Sequence, residues 1–323
     1  MSLLYVILLI FLNIFNVQYS CSNAANINAT GIQYKYFDKN YNLMDEMNLK
    51  IADNSSLLVF VHGFRSSTHS GMIVNFGKSL ARLTDFNVVL VDWSNWTQKM
   101  DYTDIVLQLP TVAPYLVSWL NGLKDRGVVN SFDDVTLIGH SLGAQLIGYV
   151  GHRLNGTVKR IIALDPAQPN FKASQKNERV DIKSGQFVVV LHTSTSFLGL
   201  REPVGHVDFY FNGGQIQPSC SLDTVCGHIV VLDYFIASLK NPNTFTAFQC
   251  DTLLDCENQT INEHKPTVAM NMNIPTSTRG LYSVKTEKKD LKVFLCFRTS
   301  STTGRKNSNQ NLGSKIVRIS KMS

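Results

Sequence analysis

Val135-Thr136-Leu137-Ile138-Gly139-His140-Ser141-Leu142-Gly143, running on into Ala144-Gln145-Leu146-Ile147-Gly148-Tyr149-Val150, is the stretch whose reading decides the fold. Its first four residues are apolar or β-branched, as a buried strand requires. The last seven suit a helix. Between them lies Gly-x-Ser-x-Gly, which in this setting is a tight strand-to-helix turn. Glycines two before and two after the serine let strand and helix approach while the serine backbone is held under strain. The Ser141 hydroxyl then stands clear of the sheet edge, and N–H groups at the helix start point at any oxyanion formed there. The competing reading is a glycine-rich corner with an incidental serine.

A serine hydroxyl is a poor nucleophile without a base, and the base needs an orienting acid. Where a strand–helix turn carries the serine, the acid and then the histidine follow it in chain order. Twenty-four residues after Ser141, the apolar run Arg160-Ile161-Ile162-Ala163-Leu164 ends in Asp165-Pro166. Asp165 thus sits at the carboxyl end of a strand, the edge where parallel sheets bind ligands. Its bland alternative is a strand-end turn acid. Four histidines follow: His192, His206, His228 and His264. His192 ends a strand-like run and suits a satisfied core position; His206 opens one; His264 lies in a polar loop. His228 follows Cys220…Cys226-Gly227, so a covalent staple and a glycine can fix its loop. That favours His228 as base and leaves His206 open.

Strand-like runs occupy 57–61, 86–91, 135–138, 160–164, 187–191 and 207–211. Between them, Thr111 is expected to cap a helix with Pro114 in its first turn, Leu116, Leu120 and Leu123 on one face and Gly127 as stop. This alternation predicts an α/β fold, a mostly parallel sheet with helices on both faces. With 323 residues, 44% hydrophobic and 17% charged, the chain is long enough for one sizeable core.

The ordered segments Val61-His62-Gly63-Phe64, Val91-Asp92-Trp93, Gly139-His140-Ser141-Leu142-Gly143-Ala144, Leu164-Asp165-Pro166-Ala167, Gly205-His206-Val207-Asp208-Phe209-Tyr210, Asn212-Gly213-Gly214 and Cys226-Gly227-His228 resemble the animal neutral (pancreatic-type) lipase family. The pattern is similar to that of its secreted insect phospholipases A1. The likeness runs from about Gly31 to Phe297. It implies an α/β-hydrolase fold with Ser141 as nucleophile, Asp165 as acid, His228 as base, and an oxyanion hole from the backbone N–H groups of Phe64 and Leu142. It supports a Cys220–Cys226 disulfide and implies Cys250–Cys256 as a second.

Ten apolar or aromatic residues, Leu3 to Leu12, are too few for a membrane span and suit a signal-peptide core over residues 1–22, with cleavage after Ser20 or Ser22. The expected division is that leader, a lipase domain over 23–298 and a basic tail over 299–323. Six cysteines fit export to an oxidising compartment. Cys296 is left over, either bridging to Cys21 or remaining a thiol. Glycosylation sequons lie at Asn28, Asn54, Asn95, Asn155 and Asn258. The net charge of +6 draws a secreted protein toward anionic interfaces; no motif supports nucleic-acid binding.

In the family, the disulfide before the histidine encloses a lid and a second loop borders the substrate. Here the lid, Ser221 to Val225, has five residues, too few for two helical turns. The second loop, Ser194 to Val204, is also short and centred on Phe197, Leu198, Gly199 and Leu200. The family's calcium site aligns with Lys176 to Ser184, where Asp181 keeps a carboxylate and Ser184 replaces an acid; calcium wants several hard oxygens, so no metal or cofactor is expected. The reading is a secreted serine esterase acting on the sn-1 ester of phospholipids at a membrane or micelle surface. Triacylglycerol or galactolipid hydrolysis is the alternative within the family, and a non-catalytic lipid-binding or storage relative the alternative outside enzymes.

Overall fold

Leu57, Val59 and Val61 belong to one hydrophobic core, while Leu58 and Phe60 belong to another, as the two-residue pleat of a strand demands. The same split separates Ile161 and Ala163 from Ile162 and Leu164, and Val188 and Val190 from Val189 and Leu191. Strands that are apolar on both sides need cover on both sides. The computed structural model, which describes residues 30–38, 40–45, 56–171 and 178–287, supplies that cover.

Among the described residues, strands β1 (Gln33–Phe37), β2 (Leu43–Asp45), β3 (Leu57–Val61), β4 (Asn87–Asp92), β5 (Val135–His140), β6 (Arg160–Leu164), β7 (Val188–His192), β8 (Val207–Phe211), β9 (Thr246–Cys250), β10 (Thr267–Ala269) and β11 (Gly280–Val284) form one sheet. Its order is β10-β9-β11-β8-β7-β6-β5-β3-β4-β1-β2. From β4 to β11 every neighbouring pair is parallel. The flanks β1–β2 and β9–β10 join it antiparallel. The helices are α1 (Gly71–Leu83), α2 (Ser94–Thr97), α3 (Tyr102–Asp125), α4 (Leu142–Arg153), α5 (Thr224–Ile229), α6 (Val231–Lys240) and α7 (Leu253–Asn258). Residues of α3 and α4 close one core, those of α1 and α6 the other. This is the α/β-hydrolase fold. No helix among the described residues is long and apolar enough to cross a membrane. The leader over 1–22, Cys21, Asn28, Asn54, Cys296 and the tail over 299–323 lie outside the described residues.

The six expected strands fall within one or two residues of their runs. The helix expected from Thr111 is a correction: α3 begins at Tyr102 and carries Pro110 and Pro114 in its interior. A proline removes one helical N–H, so Pro114 leaves the Pro110 carbonyl without a helical donor. Arg153, at the end of α4, donates Nη2–H to that oxygen at 3.0 Å. The buried stripe of Ile105, Leu109, Val112, Leu116, Leu120 and Leu123 is continuous across both prolines, so packing carries the helix through them. Gly127 stops it, as expected, at φ +69°, a conformation open to glycine at little cost.

Between α1 and α6, Asp233 lines a cavity of about 280 Å³ with Asn75, Ser79, Arg82 and Ile236. Its Oδ1 is buried without a hydrogen-bond partner. Burial raises its pKa from 3.8 to about 6, against the opposing pull of Lys240. An acid whose pKa is raised by folding stabilises the fold below its unfolded value and ceases to as pH rises through the folded one. Asp233→Asn should therefore raise stability at pH 7.5 by on the order of 1–2 kcal/mol and bring no gain at pH 4. Denaturant titrations at the two pH values check this; equal effects at both would contradict it.

Candidate active site

Ser141 joins β5 to α4 with φ 58° and ψ −122°, a left-handed backbone that disfavours side chains. Two glycines make the turn sterically possible. A Cβ on Gly139 would strike the backbone of Gly143 and Ala144, and one on Gly143 would strike the carbonyls of Val61 and His62. The turn is tied on both sides: Ser141 N–H donates to the Leu164 carbonyl at 3.0 Å, and the Ser141 carbonyl accepts from Ala144 and Ala167. The serine edge is therefore fixed to the end of β6, where Asp165 begins.

Asp165 is fully buried and receives a donor from every side. Its Oδ1 accepts the N–H groups of Thr193 at 2.7 Å and Ser194 at 3.1 Å. Its Oδ2 faces His228 Nδ1 at 2.5 Å and accepts the Ser194 hydroxyl. Burial alone would push this carboxyl up. The His228 hydrogen bond and charge, then the Ser194 and Thr193 hydrogen bonds, outweigh burial and hold it below the ordinary carboxylate range. Gly199 covers the group, and a Cβ there would strike the carboxylate oxygens.

His228 lies on α5, not in the loop expected from Cys226-Gly227. The reason is local: the Asp223 side chain accepts from Val225 N–H and Cys226 N–H, each at 3.0 Å, and starts a helical turn early. Cys220 is bonded to Cys226, and Cys250 to Cys256. The elbow meets this helix through His140, whose Nε2 lies 2.9 Å from the His228 carbonyl with the two rings 4.8 Å apart. Burial, then the neighbouring His228, pushes His140 down to about 3. It is neutral, and its Nε2–H donates to that carbonyl.

The other histidines are drawn elsewhere. His206 accepts the Val188 N–H on Nδ1 at 2.9 Å. Val188 begins β7 and Val207 begins β8, so His206 sits at the edge opposite Asp165, a strand length of roughly 16 Å away. His192 is a satisfied core residue: Nδ1 meets the Leu200 carbonyl at 2.8 Å, Nε2 meets Asp208 at 3.0 Å, and the ring stacks on Tyr210. His264 is exposed in a turn.

Phe64 follows Gly63, where a Cβ would come within 2.9 Å of Ser141 Cβ, so its segment packs directly on the serine. Leu142 is the first residue of α4, one of the four positions whose N–H no helical carbonyl takes. The 62–68 loop is moored to Asp92 at the end of β4. Asp92 accepts Thr68 N–H at 2.8 Å and the Thr68 hydroxyl on Oδ2, and Ser94 N–H at 2.9 Å on Oδ1. Of the large apolar side chains in the loop expected to border substrate, only Phe197 is exposed. Leu198 is buried, and Leu200 belongs to the core, because the Ala167–Gly199 bridge turns both side chains inward. Among the described residues aligned with the calcium site, Asp181 Oδ1 faces His152 Nε2 at 3.1 Å and accepts Lys183 N–H, while Ser184 Oγ accepts the Asp181 N–H. Among the sequons, Asn155 and Asn258 are exposed, whereas Asn95 is half-buried, with Nδ2 donating to the Gly31 carbonyl and Thr97 wholly covered.

Sequence reasoning missed Ser194, His140 and the Asp92–Thr68 mooring. For Ser194 the available signal was its place two residues past the end of β7, on the edge that carries Asp165.

Residues 32–302 match the family model described as Lipase. Lipase member H of Oryctolagus cuniculus is 35% identical over 220 residues, 65% of this chain and 48% of that protein. Phospholipase A1 member A of Rattus norvegicus is 33% identical over 253 residues, 73% of this chain and 53% of that protein. Pancreatic lipase-related protein 2 of Bos taurus is 34% identical over 216 residues, 59% of this chain and 45% of that protein. The chain thus spans about half the length of the curated relatives it matches. With the family model covering most of its length and the fold that of an α/β hydrolase, the chain belongs to the lipase family.

Proposed function

We propose that the protein is a secreted serine esterase that hydrolyses the sn-1 acyl ester of phospholipids. The observation that carries the reading is the buried Asp165–His228 pair, 2.5 Å apart, held against the Ser141 elbow through His140. With Nδ1 turned to Asp165, Nε2 is the His228 nitrogen left to take a proton. Ser141 Oγ attacks the ester carbonyl as its proton passes to Nε2, and the oxyanion is received by the N–H groups of Phe64 and Leu142. Nε2–H then protonates the leaving glycerol oxygen, releasing a 2-acyl lysophospholipid and leaving an acyl-Ser141 ester. Water, deprotonated by Nε2, attacks that ester; the fatty acid departs and Ser141 recovers its proton.

The phospholipid preference rests on the Cys220–Cys226 loop. It encloses five residues, Ser221 to Val225, and presents one large apolar side chain, Leu222, which is 82% exposed. A long amphipathic lid couples activity to an interface because opening it exposes apolar area, at about 25 cal/mol per Å², that only lipid can cover. This loop has little such area to hide, which leaves the site open to a polar headgroup. Phospholipase A1 member A, among the relatives, bears the proposed reaction in its name. The paired cysteines support export.

Ser141→Ala and His228→Ala should each lower turnover about 10³-fold or more with folding intact, and the double variant should lose no more than either. His206→Ala should instead keep its turnover and lose on the order of 1 kcal/mol of stability, because the Val188 N–H loses its acceptor. A folded, active His228→Ala protein would reject the triad.

Positionally labelled phosphatidylcholine assayed against triolein tests the substrate. Fatty acid should be released from sn-1, with activity on dispersed short-chain phospholipid rising without a sharp jump at micelle formation. Strong triolein hydrolysis with a marked jump would favour the triacylglycerol alternative. A folded protein inert on both, with Ser141 unlabelled by a phosphonate, would favour the binding reading.

A further inference from the structure

We propose that Ser194 is a positioning residue of the Ser141 site, its buried hydroxyl holding Asp165 and His228 in register with each other. The inference rests on the reading of Ser141, Asp165 and His228 given above.

Ser194 is 3% exposed and touches both oxygens of one carboxylate. Its N–H donates to Asp165 Oδ1 at 3.1 Å, and its hydroxyl donates to Oδ2. The two bonds form a clasp: one residue grips both ends of the carboxyl group. Its Oγ also lies 3.1 Å from His228 Nδ1. Oδ2, the imidazole Nδ1 and the hydroxyl oxygen therefore meet within hydrogen-bond distance of one another.

That arrangement answers a mechanical need. Rotation of a carboxyl about its last side-chain bond is soft, with broad minima. The Thr193 and Ser194 N–H groups fix Oδ1 alone. Without the hydroxyl, Oδ2 would be held only by the imidazole, which must itself stay aimed at Ser141 as its charge changes. A charge-assisted O–H···O⁻ bond in a dry site is among the stronger hydrogen bonds available. The backbone around Ser194 does not yield easily: its carbonyl accepts the N–H groups of Phe197, Leu198 and Gly199 at 3.0–3.2 Å. The same turn brings Gly199 over the Asp165 carboxylate. The clasp is thus anchored to a closed turn, and the hydroxyl acts on the reaction only through Asp165 and His228.

The test compares Ser194→Ala with Ser194→Thr, which keeps the hydroxyl, using p-nitrophenyl butyrate and dispersed short-chain phosphatidylcholine as substrates and Ser141→Ala as reference. Ser194→Ala should fold and lose about ten-fold in kcat, with KM changed less than about two-fold, since the lost interaction orients the base rather than the substrate. Ser194→Thr should recover most of that loss. The low-field proton resonance of the Asp165–His228 bond should broaden or vanish in Ser194→Ala and return in Ser194→Thr. An Ala variant with unchanged kcat and an unchanged low-field proton overturns the proposal while leaving the triad standing. Equal losses in Ala and Thr, each with a lowered thermal midpoint, would make Ser194 a packing residue and also overturn it. Turnover by a folded Ser141→Ala protein would remove the reading on which the proposal rests, a result distinct from the other two.

Discussion

At Ser141 the chain must turn from strand to helix within one residue, in a backbone conformation costing on the order of 1–2 kcal/mol for a residue with a side chain. Every other feature of the edge is arranged around that turn. It is held by the helix that follows, in which every residue from Leu142 to Gly151 is buried, and by the absence of side chains at Gly139 and Gly143 where backbones touch. A side chain at Gly139 would push β5 from α4, and one at Gly143 would push α4 from the Val61–His62 backbone. The hydrogen bonds from Ser141 to Leu164 and Ala167 pass the constraint sideways, so the position of the serine and the start of the Asp165 turn are a single geometric fact.

The same edge is built on two buried carboxylates, and each organises a loop. Asp92, at the end of β4, gathers Thr68, Ser94 and the neighbouring His62, and so shapes the segment that lies on the serine. Burial opposes its ionisation, but the His62 interactions and the Ser94 and Thr68 hydrogen bonds lower its pKa well below the usual range. Asp165, at the end of β6, gathers the 193–199 turn in the same manner. A buried charge is tolerable only when its lone pairs are taken by donors. The donors come from loop backbones as well as side chains, so neutralising either acid would release a loop along with a charge.

The central sheet was legible because parallel strands buried on both faces read as unbroken apolar runs, such as Leu57–Val61 and Val188–Leu191. The outer strands were not. Gln33–Phe37 and Thr246–Cys250 are only partly buried, so their composition is mixed and leaves no unbroken apolar run to read. The start of α3 was hidden by Pro110 and Pro114, whose local tendency to end a helix is overruled by a buried stripe and by one guanidinium from another helix. Asp165 could be singled out from residue type and order, since chemistry limits which side chains can serve, whereas His228 was only favoured over His206 until the family resemblance was added. Ser194 was missed, because its place just past β7 marks the edge it stands on but not what its hydroxyl will meet. The burial of Leu198 and Leu200 was equally hidden, because it follows from the Ala167–Gly199 bridge, which joins two separate segments.

Helix α4 runs from the serine at one edge of the sheet to Arg153 at the other, about 18 Å at 1.5 Å per residue. The turn beyond it is closed by its own backbone hydrogen bonds, Leu154 to Val150 and Gly156 to Gly151, and leaves Asn155 and Thr157 exposed. A tether, label or solid support attached at this turn would hold the molecule by its far pole. The Ser141 edge would then face away from the support, toward whatever surface is brought to it.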